Sequence, residues 1–307
     1  MPARIIDGKA LGQKYRDDIA ARAAKLRAAG RPVRLDAVLV GGDDDAAHQY
    51  AESQARTCGA LGIDYVLHEL PAGAGHDDIA GRVLLLNTKD EVSAIMVHLP
   101  LPAEVDAYSV QKLITPEKDV EGVNPANIGN VVYGRSSLAP CTALAVIKMV
   151  EHTGTGIQGL RGKIAVVVGA SNHVGKPIAV LLMRMDATVV SCNKWTPGLA
   201  DLTRRADVLV AAAGVPDLIT RDMVKPGAVV IDVGVNRVAG PDGKMRTVGD
   251  VAYDAVGGFG THAATAGSAA NHAGWISPVP GGVGPMTVAM LLLNVVEAAE
   301  RAAGVRL

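Results

Sequence analysis

Four polar side chains of this chain have the types and spacing of a small ligand site. Tyr50 and Gln54 lie four residues apart in a stretch with helical periodicity, so they share one helix face and can contact one ligand. His98 follows a strand-like apolar run and adds a group whose unperturbed pKa is about 6.5. Glu121 adds a carboxylate in a turn after Lys118. A lone histidine is more often structural and a turn carboxylate is often only solvated, so residue types leave both interpretations open.

A loop with few side chains occupies residues 278–287, where three prolines and three glycines precede an apolar tail. Prolines fix φ, and glycines allow backbone conformations that other residues resist. The combination suits a wall on which a flat ligand lies close to the main chain. The alternative is a turn that leads into a helix, with Pro285 at the first helical position.

A strand, a glycine-containing turn and a helix follow one another over residues 161–185. This order predicts a nucleotide site, because the first turn of such a helix points unpaired N–H groups at phosphate. Gly169 and Gly175 are present, but Ser171 stands at the middle position and one extra residue intervenes, so the spacing departs from G-x-G-x-x-G. Three further strand-like runs, at 187–192, 206–212 and 228–233, support the interpretation.

The elements that position these residues alternate between helix and strand. Periodicity predicts helices over residues 10–29, 47–61, 143–152, 178–185 and 285–303, and further strands over 34–40 and 94–99. A chain of 307 residues fits two domains of about 150 residues each. We expect the chemistry between the domains, beyond the carboxyl ends of parallel strands.

The order and spacing of these segments resemble the bifunctional methylenetetrahydrofolate dehydrogenase/methenyltetrahydrofolate cyclohydrolase family over nearly the whole chain. The resemblance rests on Tyr50 in its helix, on residues 98–102 (HLPLP), 116–122 (PEKDVEG), 140–142 (PCT), 168–171 (VGAS), 231–237 (IDVGVNR), 249–251 (GDV) and the 278–287 loop. It implies an α/β fold with an N-terminal βα domain and a Rossmann-like, doubly wound nucleotide-binding domain. The implied boundaries are 1–140 plus 284–307 for the first domain, because the C-terminal helix returns to it, and 141–283 for the second.

The resemblance also implies the site residues. The expected catalytic residues are Tyr50, Gln54, His98 and Glu121. The same four residues bind the folate substrate, together with Leu99, Pro100, Pro280, Gly281 and Gly282. The expected cofactor contacts are Gly169, Ala170, Ser171, Val174, Gly175, Lys194, Gly214 and Val235. We expect no metal, since His262 and His272 in the Gly- and Ala-rich segment 257–273 have no third ligand near them in the sequence.

Three of these positions depart from the family pattern. Gln54 stands where the family has the lysine to which its proton handling is assigned, and a glutamine amide has no titratable proton near neutral pH. His98 replaces a glutamine, and Glu121 replaces an aspartate and adds one methylene of reach. We therefore expect oxidation of 5,10-methylenetetrahydrofolate to 5,10-methenyltetrahydrofolate in one-carbon metabolism. Hydrolysis to 10-formyltetrahydrofolate should be weak or absent.

The cofactor choice depends on the segment 191–196 (SCNKWT), at the end of the second strand of the nucleotide-binding domain. NAD sites usually place Asp or Glu there, whereas Lys194 without an acidic neighbour suits the 2′-phosphate of NADP. NAD stays possible, because Lys194 is equally interpretable as a solvated surface lysine.

Composition narrows the partners and the compartment. The formal net charge of −1 gives no electrostatic case for nucleic acid or an anionic membrane, and we found no apolar run long enough to span a bilayer. Cys58, Cys141 and Cys192 are widely spaced, which is typical of reduced cytoplasmic thiols. The resemblance implies a homodimer.

Three alternatives stay open at this stage. The first is a fully bifunctional enzyme in which His98 takes over the proton transfer. The second is a non-catalytic paralogue that binds folate or nucleotide. The third is an unrelated two-domain dehydrogenase of the shikimate or amino-acid type, although that analogy explains neither the 278–287 loop nor the turn after Lys118.

Overall fold

The computed structural model describes residues 1–41, 45–135, 137–154, 157–240, 243–259 and 273–305. Most of the 257–273 segment, with His262 and His272, therefore lies outside the described residues. The chain divides into two compact units. We call them the six-stranded unit (Met1–Gly12 and Thr142–Val288) and the three-stranded unit (Gln13–Cys141 and Ala289–Leu307).

The described residues contain both helices and strands. In chain order they are β1 (Arg4–Ile5), α1 (Gly8–Ala28), β2 (Arg34–Val40), α2 (Asp45–Ala60), β3 (Asp64–Leu70), α3 (His76–Asn87), β4 (Ala94–Val97), α4 (Ala107–Gln111), α5 (Pro125–Tyr133), α6 (Cys141–His152), β5 (Ile164–Val168), α7 (Gly175–Met183), β6 (Thr188–Cys192), α8 (Leu199–Thr203), β7 (Val208–Ala211), β8 (Val229–Asp232), β9 (Asn236–Ala239), β10 (Met245–Val248), α9 (Tyr253–Gly257), β11 (Trp275–Ile276) and α10 (Val283–Ala302).

The six-stranded unit is built on a parallel sheet in the order β1-β11-β8-β7-β5-β6. Its central strands β5, β7 and β8 are short runs of buried aliphatic residues, as expected when both faces of a parallel sheet are covered. β9 and β10 form a separate antiparallel hairpin. The predicted α/β class with a doubly wound nucleotide-binding domain is confirmed.

The three-stranded unit contains a parallel sheet in the order β3-β2-β4. Helix α3 buries Ile79, Val83 and Leu86 in the same apolar cluster as Val38 of β2 and Val97 of β4. This packing fixes the carboxyl end of β4, and His98 is the next residue of the chain.

The domain boundaries differ from the prediction at both ends. Residues 1–12 belong to the six-stranded unit because β1 pairs in parallel with β11 in register Arg4 to Trp275. Residues 284–288 also belong to that unit, whereas Cys141 belongs to the three-stranded unit. A strand of two residues carries too little pattern to predict from the sequence, so the pairing of β1 with β11 was not expected.

Helix α10 begins at Val283, two residues earlier than predicted. Pro285 is therefore its third residue and not its first, which the helix tolerates because N–H groups of the first turn have no intrahelical acceptor. By length and composition α10 could span a membrane, contrary to our expectation from the sequence. However, 72% of its most apolar window is buried, and a packed core helix meets the same criteria.

Candidate functional site

Helix α2 presents Tyr50, Gln54 and Cys58 at four-residue intervals, from its exposed part to its buried part. Tyr50 is 51% exposed, whereas Gln54 and Cys58 are buried. Burial raises the pKa of the Cys58 thiol to about 12, so this thiol stays protonated at neutral pH. The predicted face of α2 therefore has an accessible phenol beside a buried amide.

His98 lies against Tyr50, as its position at the end of β4 allows. The backbone N–H of His98 donates to the Val38 carbonyl at 2.8 Å, which continues the β2–β4 ladder by one residue. The rings of Tyr50 and His98 meet edge to face, with their centroids 5.8 Å apart. His98 Nε2 is 3.1 Å from the hydroxyl of Tyr65 on β3. Burial lowers the pKa of His98 below 6.5, so the imidazole is neutral at pH 7.

Glu121 adds a carboxylate to the same group of side chains. Burial raises its pKa to about 7, and the negative charge of Asp119 acts in the same direction. The pKa of Tyr50 is also raised, first by burial and then by the negative charge of Glu121. The structure thus brings Tyr50, His98 and Glu121 together within the three-stranded unit.

Five buried acceptor atoms in this unit lack hydrogen-bond partners among the described residues: Gln54 Oε1, Asp119 Oδ1, Glu121 Oε2, Ser137 Oγ and Asn294 Oδ1. Two of them belong to the predicted site. Gln54 Oε1 and Glu121 Oε2 are both buried, and neither has a donor within reach among the described residues. A buried acceptor without a donor costs about 1–3 kcal/mol, so native proteins rarely keep one without a reason. A ligand that carries N–H donors would satisfy both.

The segment that carries Glu121 is held by contacts that no pattern in the sequence predicts. Asn294 on α10 donates from Nδ2 to the carbonyls of Val120 (2.7 Å) and Ala139 (3.0 Å). Gly122 has φ +67°, and a Cβ there would lie 2.2 Å from the Ala139 carbonyl carbon. Only glycine fits that approach.

Lys118 fixes the start of the same segment. Its ammonium donates to the carbonyls of Leu86, Asn87 and Lys89, where helix α3 ends. A lysine at this position satisfies carbonyls that the helix itself leaves without a partner. Asp119 follows, and its Oδ2 accepts from the Asn124 amide and from Asn127 Nδ2.

The remaining predicted substrate residues lie at two places. Leu99 is 54% exposed beside His98, and the Leu99–Pro100 peptide bond is cis. Pro280 also follows a cis bond, and Gly281 has φ +110°. Gly282 packs tightly, because a Cβ on Gly8 would lie 1.8 Å from its carbonyl oxygen. Pro280, Gly281 and Gly282 belong to the six-stranded unit, and their meeting with Tyr50 stays a prediction.

The predicted cofactor residues gather at one edge of the six-stranded sheet. We call the carboxyl ends of β5, β6, β7 and β8 the nucleotide edge: Gly169 and Ala170 follow β5, Lys194 follows β6, Gly214 follows β7, and Val235 follows β8. Gly169 has φ +113°, and a Cβ there would lie 2.0 Å from the Ala212 carbonyl oxygen. A Cβ on Gly175 would lie 1.8 Å from the Gly169 carbonyl oxygen. The turn therefore requires both glycines.

The first turn of α7 differs from the expectation in one respect. The helix begins at Gly175 after Val174, three residues before the predicted start. The amide of Gly175 donates to Ser171 Oγ at 3.3 Å, and the amide of Lys176 donates to the Ser171 carbonyl at 3.0 Å. These two N–H groups are not free for phosphate, because Ser171 closes the turn.

Two buried carboxylates hold the backbone at the nucleotide edge, and no role was predicted for them from the sequence. Asp250 Oδ2 accepts from the amides of Ala213 (2.6 Å) and Gly214 (2.9 Å). Asp232 accepts from the amides of Gly234, Asp250 and Val251, and burial raises its pKa to about 6. A Cβ on Gly249 would lie 1.8 Å from Asp232 Oδ2. In the sequence, the signal for these contacts was the glycine in each of the segments GDV (249–251) and DVG (232–234). Each glycine lets a carboxylate approach the backbone closely.

Among the described residues, no group of three or more His, Cys, Asp or Glu side chains could hold a metal ion. His262 and His272 lie outside this part of the chain.

Family models match both parts of the chain. One, described as tetrahydrofolate dehydrogenase/cyclohydrolase, NAD(P)-binding domain, matches residues 140–303. Another, the catalytic domain of the same family, matches residues 6–121.

Individual proteins are similar over the full length. The bifunctional protein FolD of Bordetella avium is 48% identical over 98% of this chain and 99% of its own. The crystal structure of the bifunctional enzyme FolD from Campylobacter jejuni has 37% identity and a TM-score of 0.87, covering 97% and 99% of the two chains. The Trypanosoma brucei FolD, complexed with NADP cofactor and inhibitor, has 35% identity and a TM-score of 0.85 over 99% of each chain.

Proposed function

This chain belongs to the tetrahydrofolate dehydrogenase/cyclohydrolase family, and from that premise we propose that it oxidises 5,10-methylenetetrahydrofolate to 5,10-methenyltetrahydrofolate, with weak or absent hydrolysis of the product. Membership confirms the resemblance and excludes an unrelated dehydrogenase of the shikimate or amino-acid type. The proposal concerns the balance between two activities on one folate substrate.

The observation that carries the substrate assignment is the pair of buried acceptors, Gln54 Oε1 and Glu121 Oε2, without partners among the described residues. The pterin ring of a folate presents ring N–H and amino donors. A carboxylate and an amide carbonyl are each suited to accept from them. Donors of this kind stabilise the ionised form of Glu121, so substrate binding should lower its pKa from about 7.

Hydride transfer places few demands on the protein's own acids and bases. The methylene carbon between two folate nitrogens loses a hydride, which the oxidised nicotinamide accepts when bound, and the folate becomes a methenyl cation. The side chains orient two flat rings, and no proton moves in this step. Gln54 is neutral, so it adds no like charge beside the developing cation.

NADP is the proposed cofactor. The family model covers an NAD(P)-binding domain, and the T. brucei relative was crystallised with NADP. In this chain, exposed Lys194 follows β6 and is the group proposed to meet the 2′-phosphate. The glycine turn at Gly169 and Gly175 and the braced amides at Gly214 fit a dinucleotide on the nucleotide edge.

Hydrolysis makes a different demand, because water must lose a proton as it adds to the methenyl cation. The amide of Gln54 cannot accept that proton. The titratable groups around Tyr50 are a phenol whose pKa is raised by burial, a carboxyl with pKa about 7 and a neutral imidazole. We expect weak hydrolysis because the lysine to which the family's proton handling is assigned is replaced by Gln54.

A second candidate function is full bifunctionality through His98. It is favoured by the lowered pKa of the imidazole, which leaves a free base at neutral pH, and by the Tyr65 hydroxyl 3.1 Å from Nε2, which orients the ring.

One experiment decides among these functions. Purified protein should be assayed separately for methylenetetrahydrofolate oxidation with NADP and with NAD, and for methenyltetrahydrofolate hydrolysis. Oxidation with little hydrolysis supports the proposal. Efficient hydrolysis supports the second candidate. Absence of both reactions would leave a non-catalytic paralogue that binds folate or nucleotide.

We also propose a cytoplasmic homodimer. The location is supported by Cys58, Cys141 and Cys192, all buried free thiols, and the assembly rests on the family pattern.

A further inference from the structure

Trp195 is an exposed indole on the nucleotide edge that neither the fold nor the proposed chemistry explains. It is 79% exposed, although large aromatic side chains are usually buried to a high degree. It contributes no packing that would account for its presence. An exposed indole at the nucleotide edge is a candidate surface for contact with a bound ligand.

The turn that carries Trp195 is fixed by hydrogen bonds. The amide of Asn193 donates to Thr196 Oγ1, and the amide of Trp195 donates to Asn193 Oδ1, both at 2.9 Å. The turn adjoins the glycine turn, because the Gly169 amide donates to the Cys192 carbonyl at 2.9 Å. The indole is therefore presented from a defined position beside the carboxyl end of β5.

Lys194 lies over the Trp195 ring with its ammonium 4.9 Å from the centroid. This cation–π contact holds the lysine near the edge instead of leaving it extended in solvent. The position after the second strand is where doubly wound sheets bind the ribose of adenosine and discriminate its 2′ substituent.

We propose that Trp195 binds the adenine ring of the dinucleotide by stacking, and that its other face holds Lys194 beside the 2′-phosphate. The inference rests on the proposed role of this edge in NADP binding and extends it to the adenine. Indole and adenine are both flat π systems, and stacking of a base on an aromatic side chain contributes without regard to the 2′ substituent. Trp195 thus supplies affinity, and Lys194 supplies selectivity.

The test uses the full-length protein and three probes: 2′,5′-ADP, 5′-AMP and ribose 5-phosphate, titrated by calorimetry. Trp195→Ala should weaken both adenine-containing probes by about 5- to 100-fold and leave ribose 5-phosphate unchanged. The loss should be larger for 2′,5′-ADP, because Lys194 also loses the ring that holds it. Trp195→Phe should stay within about threefold of the wild type, because a phenyl ring also stacks. Lys194→Ala should weaken 2′,5′-ADP alone.

Fluorescence gives a second readout. The chain has two tryptophans, and Trp275 on β11 is four strand positions from β6, about 19 Å away at the usual strand spacing. Binding of 2′,5′-ADP should quench emission in the wild type and in Trp275→Phe, but not in Trp195→Phe.

Wild-type affinity for 2′,5′-ADP in Trp195→Ala would overturn the inference, and so would equal losses for Ala and Phe or a parallel loss for ribose 5-phosphate. The proposed function is tested separately by oxidation of methylenetetrahydrofolate in the wild type. Adenine stacking on Trp195 can be refuted while oxidation of methylenetetrahydrofolate is confirmed, and oxidation can be refuted while stacking is confirmed.

Discussion

At the scale of single residues, we propose that the neutral side chain of Gln54 decides which of two reactions the site favours. Oxidation needs alignment of two rings, whereas hydration needs a group that takes a proton. Gln54→Lys should therefore increase methenyltetrahydrofolate hydrolysis by about 10²- to 10⁴-fold and leave oxidation similar or slower. Steady-state rates of both reactions measure this.

Ser53→Lys is the matched control, since it adds the same charge to an exposed position of the same helix. If both lysine variants increased hydrolysis equally, the effect would come from net charge and the role given to Gln54 would be wrong.

We propose that any hydrolysis by the natural chain depends on His98. Burial lowers the pKa of its imidazole below 6.5, so hydrolysis should rise as pH increases through an inflection below that value. Tyr65→Phe removes the hydroxyl 3.1 Å from Nε2 and should lower kcat for hydrolysis and move the inflection, with little change in KM. Hydrolysis that persists unchanged in His98→Gln would refute this assignment.

We propose that Lys194 contacts the cofactor and takes no part in the folate chemistry. Lys194→Ala should raise KM for NADP by about 5- to 100-fold, because a charge-assisted contact contributes about 1–3 kcal/mol, and should change KM for NAD little. Lys163→Ala serves as control, since Lys163 is exposed just before β5 at the opposite edge of the same sheet. Equal changes for both cofactors would argue against a 2′-phosphate contact.

At the scale of elements, the sequence predicts those with a clear hydrophobic pattern. Strand β2 matches its predicted bounds at 34–40, and β5 to β8 lie within the predicted runs, because buried parallel strands are continuous aliphatic stretches. Strand β3 was missed, since its DYVLHEL sequence mixes charged and apolar residues at a sheet edge. Tyr65 was missed with it.

The sequence likewise contained no indication of which residues hold the segment that carries Glu121. Asn294 lies 174 residues after Val120, and no local pattern connects an amide on an apolar helix to that carbonyl. Positions such as Tyr50 and Gln54, by contrast, follow from spacing on one helix. Contacts between distant segments are therefore what the sequence could not provide.

Asn294→Ala should destabilise the protein by about 2–4 kcal/mol, because the carbonyls of Val120 and Ala139 lose a buried donor. The displaced Glu121 should raise KM for the folate more than it lowers kcat for oxidation. Denaturant unfolding and steady-state kinetics measure the two effects. Ala302→Ser, at the exposed end of the same helix, should change neither. A variant as stable as the wild type would show that α10 does not hold this segment.

At the scale of the whole molecule, carboxyl groups with raised pKa make folding sensitive to pH. Glu121 titrates at about 7 in the folded chain against an ordinary 4.5, and Asp232 at about 6 against 3.8. The folded state therefore binds more protons than the unfolded state between those values, and the unfolding free energy falls as pH rises through them. His98 acts in the opposite direction, because its lowered pKa removes stability as pH falls below 6.5.

Replacing Glu121 by glutamine isolates its share of this dependence, because the amide does not titrate. Between pH 5 and 7 the wild type should lose about 2 kcal/mol more unfolding free energy than Glu121→Gln, as a shift from 4.5 to about 7 requires. Glu117→Gln, an exposed position in the same segment, should keep the wild-type pH dependence. Denaturant unfolding at several pH values measures the slopes. Parallel curves for the wild type and Glu121→Gln would mean that Glu121 is ionised in the folded protein, and the substrate's donors would then meet a carboxylate that is already charged.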